Sequence, residues 1–189
     1  ECFVSEVLNL RNIKKKSSSL PLLSTFTPTL QKLKIKTFII QDTLEILLFN
    51  DTEIRSYNAL GKVNWTKDIE SPLISFPTSV RVNAREFIVL VMKNSIDVVD
   101  KNNLSLNGFP FQLNSMAANC SVIQNTSNFN LLVEIENKII NINHKGQTLS
   151  NWKEQLLAKK LKSNIEIAFF NRKSVISYVD ENDSLFIKN

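Results

Sequence analysis

The chain has 189 residues, of which 43% are hydrophobic and 22% are charged, and its formal net charge is +5. This composition excludes collagens, coiled-coil rods and mucin-like stalks, and two cysteines are too few for a small disulfide scaffold. No apolar run reaches the roughly 18 residues that a membrane-spanning helix needs. The length allows one domain or part of a larger one.

Residues 1–36 differ from the rest of the chain. The first ten residues can form a strand, and a charged and polar break follows at 14–19. The apolar run 20–28 is interrupted by Pro21 and Pro28. We therefore predict an irregular N-terminal lead-in with one or two strands.

From residue 37 onward the pattern is one of short β segments. Each has three to six residues, is rich in β-branched or aromatic side chains and is bounded mostly by polar residues such as Asn, Asp, Lys or Ser, which is typical of strands and turns. The segments are 38–40, 45–49, 54–57, 86–91, 96–99, 131–135, 138–142, 174–179 and 184–187. Tight polar turns join neighbouring segments into four hairpins. These turns lie within 49–54, 92–96, 136–138 and 180–184.

A repeat of nearly constant length organises these hairpins. Asn58, Asp100 and Asn143 each follow the second strand of a hairpin, at intervals of 42 and 43 residues, and a fourth copy would begin near Lys188. A period of about 40–45 residues with four short strands is typical of a β-propeller blade. We therefore predict an all-β fold, a β-propeller or partial propeller of about three and a half four-stranded blades. The repeats lie near 37–75, 76–118, 119–163 and 164–189.

Within each copy, Asn or Asp is followed by Gly or Asn three residues later, then by an apolar residue and by Trp or Phe. We interpret these residues as structural anchors of the repeat, with the aromatic rings packed between blades. The predicted anchors are Gly61, Trp65, Gly108, Phe109, Gly146 and Trp152. Tyr57 and His144 are candidate contacts to a ligand or partner, although a solvated turn residue is the simpler interpretation of His144.

The segment 148–164 fits two structures. As an amphipathic helix it would place Trp152, Leu156, Leu157 and Leu161 on one side and lysines on the other. The register of the repeat instead predicts a strand near 149–156 and a loop after it. We favour the strand, and a short helix inserted between blades would satisfy both patterns.

Two runs, 61–67 and 107–113, resemble quinoprotein-type (PQQ-like) propeller repeats, in which a strand ends in Asp or Asn and is followed by Gly and then by Trp or Gly-Phe-Pro. Residues 37–189 also resemble the C-terminal part of uncharacterised envelope proteins of Bacteroidetes, in the stretches 38–42, 61–65, 96–102 and 108–110. The resemblance implies a propeller located in the periplasm or at the periphery of the outer membrane. It carries over no catalytic residue.

Residue patterns of known enzyme chemistry are missing from the sequence. His144 is the only histidine, so a His-rich metal site cannot form, and no Gly-x-Ser-x-Gly motif accompanies it. The three glycines are too far apart for a phosphate-binding loop. The acidic run 180–183 lacks the Gly and the downstream Glu of a calcium loop, so we interpret it as a hairpin turn. We predict no cofactor, no metal and no enzymatic activity.

Several functions remain open at this point. We favour a non-enzymatic scaffold for protein–protein interaction in a bacterial cell-envelope complex, with a protein partner that completes the propeller. The alternative is a carbohydrate- or peptide-binding propeller that uses exposed Trp65, Trp152, Phe109 or Tyr57. An enzyme fragment remains conceivable, whereas nucleic-acid binding through Lys14–Lys16 and residues 159–162 is disfavoured because the basic residues are scattered. The spacing of Cys2 and Cys120 does not decide whether they pair.

Overall fold

The structure, a computed structural model, describes residues 33–149, 155–157, 159–163, 165–170 and 173–188. These residues form fifteen β-strands in four antiparallel sheets, which follow one another along the chain and which we call blades 1 to 4. None of the described residues is helical. The prediction of an all-β fold built from successive sheets is confirmed.

Each blade has its strands in sequence order, so every neighbour in a sheet is also a neighbour along the chain. Blade 1 contains β1 (Lys34–Ile40), β2 (Thr43–Phe49), β3 (Glu53–Tyr57) and β4 (Val63–Asp68). Blade 2 contains β5 (Thr78–Val82), β6 (Arg85–Val91), β7 (Ser95–Val99) and β8 (Phe111–Gln112). Blade 3 contains β9 (Ala117–Gln124), β10 (Phe129–Ile135), β11 (Lys138–Asn143) and β12 (Gln155–Leu156). Blade 4 contains β13 (Glu166–Phe170), β14 (Lys173–Val179) and β15 (Leu185–Lys188).

The turn after the third strand is built in the same way in blades 1, 2 and 3. The side-chain Oδ1 atom of the first turn residue accepts the backbone N–H groups two and four residues further on, at 2.8–3.1 Å. The residue three positions on has a positive φ of 62–74°, which Gly and Asn tolerate best. The first residues are Asn58, Asp100 and Asn143, and the left-handed residues are Gly61, Asn103 and Gly146.

The acidic run 180–183 forms a turn of the same kind, placed in the β14–β15 hairpin. Asp180 Oδ1 accepts the N–H groups of Asn182 and Ser184 at 2.9 and 3.0 Å, and Asp183 has a φ of 63°. The carboxylate of Asp180 therefore stabilises the turn in which it lies.

Neighbouring blades pack face to face through three apolar cores. Because side chains alternate along a strand, each blade contributes one face to the core before it and the other face to the core after it. The core between blades 1 and 2 includes Phe49, Ile54, Ile88 and Leu90. The core between blades 2 and 3 includes Val89, Ile96, Leu131 and Val133. The core between blades 3 and 4 includes Leu132, Ile139, Ile176 and Tyr178.

The ambiguous segment 148–164 is strand and loop wherever it is described. Thr148 bridges to Ile142, and β12 pairs with β11 through Gln155 and Leu156. Residues 150–154, 158 and 164 lie outside the described residues, and so does the lead-in 1–32. The short β12 agrees with the favoured strand prediction.

Candidate functional site

The last strand of blade 4 presents an apolar face against which no blade lies in the described part of the chain. Ile54, Ile96 and Ile139 each lie in the core that their blade shares with the next one, and each is 0% exposed. Leu185 holds the corresponding place in blade 4 and is 64% exposed. The same apolar position is therefore fully buried in blades 1, 2 and 3 and exposed in blade 4.

The register of β14 and β15 shows that this exposure belongs to one whole face of the sheet. Phe186 and Tyr178 are cross-strand partners, their rings stack at 5.2 Å, and both pack into the core with blade 3. Leu185 and Ile187 flank Phe186, so they point to the opposite side, where Ile187 is 68% exposed. Val179 pairs with Leu185 and lies on this side too.

We call this surface the open face of blade 4. It consists of Ala168, Val175, Ser177, Val179, Leu185 and Ile187. All but Ser177 are aliphatic, and Glu166, the cross-strand partner of Ser177, lies on the same side of the sheet. An exposed apolar surface of this kind is a candidate interaction site.

At the opposite end of the arc, the side of blade 1 that faces away from blade 2 is exposed in part. In β1, Phe38 and Ile40 belong to the core with blade 2, whereas the alternating residues Ile35 and Ile39 are 40% and 71% exposed. Val63 in β4 pairs with Tyr57 and is 44% exposed. We call this surface the outer face of blade 1.

Tyr57, predicted as a ligand or partner contact, is buried, with 4% exposure. The guanidinium of Arg55 forms hydrogen bonds with Glu53 and with Tyr57, and these bonds raise the pKa of Arg55. The burial of its ring removes Tyr57 from the candidate surface residues. His144 is half-buried, and its ring meets the edge of Phe129 at 6.5 Å.

The predicted aromatic anchors lie between blades where they are described. Trp65 is 8% exposed in the core between blades 1 and 2, and Phe109 is 8% exposed in the core between blades 2 and 3. Trp152 lies outside the described residues. The expectation that Trp65, Phe109 or Tyr57 is exposed to stack on a ligand is wrong, because all three rings are buried.

Two predicted glycines touch each other across blades. A Cβ atom on Gly146 would lie 2.0 Å from the backbone oxygen of Gly108, and a Cβ on Gly108 would lie 2.0 Å from the oxygen of Lys145. Both glycines also have positive φ, 67° and 94°. Gly61, the third predicted glycine, has a φ of 74° in the turn that follows β3. The contact between Gly108 and Gly146 brings the turns of blades 2 and 3 together.

Three acidic residues inside apolar strands are buried, and sequence reasoning did not single them out. Glu45 is 2% exposed and accepts hydrogen bonds from Ser56 Oγ and from Asn64 Nδ2. Asp97 is 1% exposed, and its Oδ2 atom lies 2.8 Å from Lys67 Nζ of the preceding blade. The available signal was an acidic residue within an apolar strand, as in the run 95–99.

Glu134 is the third of these acids and is 1% exposed. Its Oε1 atom accepts the backbone N–H of Leu161 at 3.1 Å, which ties the segment before blade 4 to blade 3. Burial raises the pKa of Glu134, and the hydrogen bond with Leu161 opposes that shift. The acid acts as a link between blades.

A groove of about 680 Å³ runs along the first strands of blades 2, 3 and 4. Its lining is mixed, with the 53% exposed ring of Phe76 beside polar residues such as Asn119 and Ser121. Asn119 Nδ2 donates to the Ser163 carbonyl and Ser121 Oγ accepts from Ile165 N–H, so both already join blades 3 and 4. Cys120 is a buried free thiol, and burial raises its pKa to about 12, so it is a poor nucleophile.

The described part of the chain contains no group of three or more His, Cys, Asp or Glu side chains placed to hold a metal ion. It also contains no helix that is long and apolar enough to cross a membrane.

No protein-family model matches the sequence, and no curated protein matches it either. Solved structures do match. One is BBS1N in complex with ARL6DN, with a TM-score of 0.55 and 10% identity over 75% of this chain and 48% of that chain. Another is the Pan2 WD40 domain of Neurospora crassa, with a TM-score of 0.50 and 14% identity over 80% of this chain and 47% of that chain. A protein of unknown function from Bacteroides caccae aligns with a TM-score of only 0.42 and 12% identity, over 86% of this chain and 63% of that chain.

These likenesses show the fold. The WD40 repeat forms four-stranded propeller blades, and the described part of this chain has four successive antiparallel sheets of three or four strands. The chain spans about half the length of BBS1N and of the Pan2 domain. The resemblance to PQQ-like repeats stays a prediction. The described residues are therefore an arc of a β-propeller, as the 42- and 43-residue intervals predict.

Proposed function

We propose that this chain is a non-enzymatic scaffold for protein–protein interaction, and that a protein partner docks on the open face of blade 4. The observation that carries the proposal is the 64% and 68% exposure of Leu185 and Ile187. Burying an aliphatic side chain of this size contributes about 1.5–3 kcal/mol. A partner that covers the face therefore gains the same stabilisation that joins the blades inside the chain.

The chemistry of this face selects the kind of partner. The face is mainly aliphatic. A partner that fits presents an apolar β-sheet face, like the faces that join the blades of this chain. BBS1N, one of the matched structures, was crystallised in complex with ARL6DN, so a protein partner on a fold of this type has a precedent.

The setting belongs to the proposal as well. We place the scaffold in a bacterial cell-envelope complex, in the periplasm or at the periphery of the outer membrane, and this placement is supported only by the sequence resemblance. The alternative of carbohydrate binding through aromatic rings loses its main support, because Trp65, Phe109 and Tyr57 are buried.

Site-specific photocrosslinking tests the docking face directly. A photoreactive amino acid is placed at Leu185 and, as a matched control, at Leu104, which is also 64% exposed but lies in a turn of blade 2. We expect Leu185 to give a discrete protein adduct in the source cells, with the crosslinked residues of the partner on an apolar sheet face. The adduct should disappear when Ile187→Asp is added. Equal labelling from both positions would contradict the proposal.

A further inference from the structure

We infer that a cavity beside Glu134 binds a small zwitterion, an α-amino acid with an aliphatic side chain, whose ammonium group contacts the Glu134 carboxylate. The open cavity has a volume of about 400 Å³. This volume lies in the range of about 300–1,000 Å³ that is typical of ligand sites. The cavity lies at the end of blades 2 and 3 that carries the β6–β7 and β10–β11 turns. Its lining does not include the open face of blade 4, so the inference goes beyond the proposed docking function.

Glu134 departs from the apolar pattern of the blades. The isoleucine near the start of the third strand pairs with Phe49 in blade 1, with Val91 in blade 2 and with Glu134 in blade 3. Phe49 and Val91 are buried in the cores between blades, with 2% and 3% exposure. Blade 3 therefore places a carboxyl group where its neighbours place an apolar side chain. Burial of a carboxylate is unfavourable unless the group is paired, so Glu134 requires partners.

Only one oxygen of this buried carboxyl has a partner in the described part of the chain. Glu134 Oε1 accepts the N–H of Leu161 at 3.1 Å, whereas no described residue donates a hydrogen bond to Oε2. The Oε2 atom is not fully enclosed by protein, so a molecule in the cavity can reach it. By contrast, both oxygens of Glu45 and of Asp97 are hydrogen-bonded or ion-paired. A buried acceptor that lacks an internal partner indicates a donor from outside the chain.

The charges around the cavity favour a ligand that carries both signs. Lys93, Lys160 and Glu136 line the cavity together with Glu134, and the first three are exposed. The two lysines would repel a purely cationic ligand, and the two glutamates would repel a purely anionic one. A zwitterion avoids both penalties, because its ammonium group can contact Glu134 while its carboxylate contacts the lysines.

The rest of the lining suits an aliphatic side chain. Met116, Ala117 and Ala118 contribute apolar surface, and Met116 is 65% exposed. The alanines leave room for a ligand, and a methionine side chain adapts to the shape of what it contacts. The Ala117 N–H donates to the Lys93 carbonyl at 2.7 Å, which fixes two sides of the cavity relative to each other. A cavity that is already ordered loses little entropy when a ligand binds.

Titration of the purified chain with L-leucine, followed by backbone amide NMR, tests the site. Isoamylamine, which lacks the carboxylate of leucine, and isocaproate, which lacks its amino group, are the matched probes. We expect L-leucine to give saturable shifts of the amides of Ala117, Ala118 and Asn137. Each analogue should bind at least about tenfold more weakly, because it loses one charged contact.

Substitutions separate the two ends of the ligand. Glu134→Gln keeps an acceptor for Leu161 and removes the charge, so L-leucine should bind at least about tenfold more weakly while the circular dichroism spectrum is unchanged. Asp51→Asn is the matched control, because it removes an exposed charge from a turn of blade 1, and its affinity should equal that of the parent. Lys93→Met should weaken the binding of L-leucine but not that of isoamylamine, since only leucine has a carboxylate.

Two results would overturn the site itself: no saturable shift with L-leucine, or equal affinity of the parent and Glu134→Gln. Binding of isoamylamine as tight as that of L-leucine would overturn the recognition of a zwitterion and would show a simple amine site. None of these results bears on the open face of blade 4, which the crosslink from Leu185 tests separately.

Discussion

At the scale of single residues, one polar side chain organises each turn after a third strand. Asn58, Asp100 and Asn143 use the same Oδ1 atom to accept two backbone N–H groups of the following loop. Asn and Asp are equivalent here because both offer that oxygen at the same distance from the backbone. The charge of Asp100 is therefore not what the turn needs.

We expect Asp100→Ala to lower the free energy of unfolding by about 1–2 kcal/mol, because two backbone donors lose their acceptor. Asp100→Asn is the matched control and should stay within about 0.5 kcal/mol of the parent. Urea unfolding followed by circular dichroism measures both. A loss of equal size in the two variants would show that charge, and not the acceptor, stabilises the turn.

The contact between Gly108 and Gly146 leads to a second residue-scale prediction. We expect Gly146→Asn to destabilise the protein by about 2–3 kcal/mol or more, because its Cβ would overlap the backbone of Gly108. Gly61→Asn is the control, since Asn103 already holds the equivalent turn position with a φ of 62°. Thermal unfolding of the two variants should separate them clearly, and equal melting temperatures would refute the inter-blade contact.

At the scale of strands and blades, buried acidic side chains form polar contacts between blades. These contacts fix the relative position of two blades more precisely than apolar packing alone. Asp97 in β7 reaches Lys67 in β4, and Glu134 in β10 reaches the backbone of Leu161 ahead of β13. Each of these contacts crosses a blade junction. A hydrogen-bonded acid requires one geometry, whereas aliphatic side chains accept several.

Lys67 and Asp97 form an ion pair between blades 1 and 2. Its loss should lower the free energy of unfolding strongly only when Lys67 is the residue that is replaced. Lys67→Met leaves the Asp97 carboxylate buried without its cation, and we expect a loss of about 2–4 kcal/mol. Adding Asp97→Asn removes the stranded charge but keeps its oxygen for the Val98 N–H, so the double variant should recover most of that loss. Chemical denaturation of the parent, both single variants and the double variant gives the coupling energy, and strict additivity would rule out the pair.

Glu134 makes stability depend on pH. Burial raises its pKa in the folded state above the ordinary value of 4.5, so the folded protein binds its proton more tightly than the unfolded chain. The free energy of unfolding therefore decreases as the pH rises from that ordinary value, until the folded-state pKa is passed. Glu134→Gln keeps the acceptor for Leu161 and removes the charge, so its stability relative to the parent should grow over this range.

Melting temperatures of the parent and Glu134→Gln between pH 4 and pH 8 measure this difference, which cancels the titration of the other acids. Glu136→Gln is the control, because Glu136 is exposed two residues further along the chain. A variant curve parallel to that of the parent at every pH would mean that Glu134 does not contribute to the pH dependence.

At the scale of the whole molecule, the two middle blades bury more apolar surface than the two end blades and so contribute more to the stability of the arc. Blades 2 and 3 are covered on both faces by neighbouring blades, and their strands β6 and β10 contain many of the fully buried side chains, including Ile88, Leu90, Leu131 and Leu132. Among the described residues, no blade lies against the second face of blade 1 or of blade 4. Protection against local opening should therefore decrease toward the two ends unless another sheet covers them.

Hydrogen exchange of the purified chain measures this difference. We expect backbone amides of β14 and β15 to exchange faster than those of β6 and β10, because one face of blade 4 is exposed. Equal protection of all four strands would mean that the open face of blade 4 is covered in the purified chain.

The sequence by itself determined the strands, the hairpins and the repeating turns. Such features depend on interactions within about five residues, such as the Oδ1 atom of Asn143 and the left-handed backbone of Gly146. The spacing of those turns then predicts blades of nearly constant size, which is why the all-β propeller arc was accessible from residues 37–189 alone.

Only the tertiary structure decided which side of each strand is covered. Ile96 and Leu185 are both aliphatic residues near the start of a third strand, yet one is 0% and the other 64% exposed. The difference depends on whether a neighbouring sheet lies on that side, and no pattern within a strand encodes the position of another sheet. The burial of Glu45, Asp97 and Glu134, the contact of Gly108 with Gly146 and the open face of blade 4 arise for the same reason.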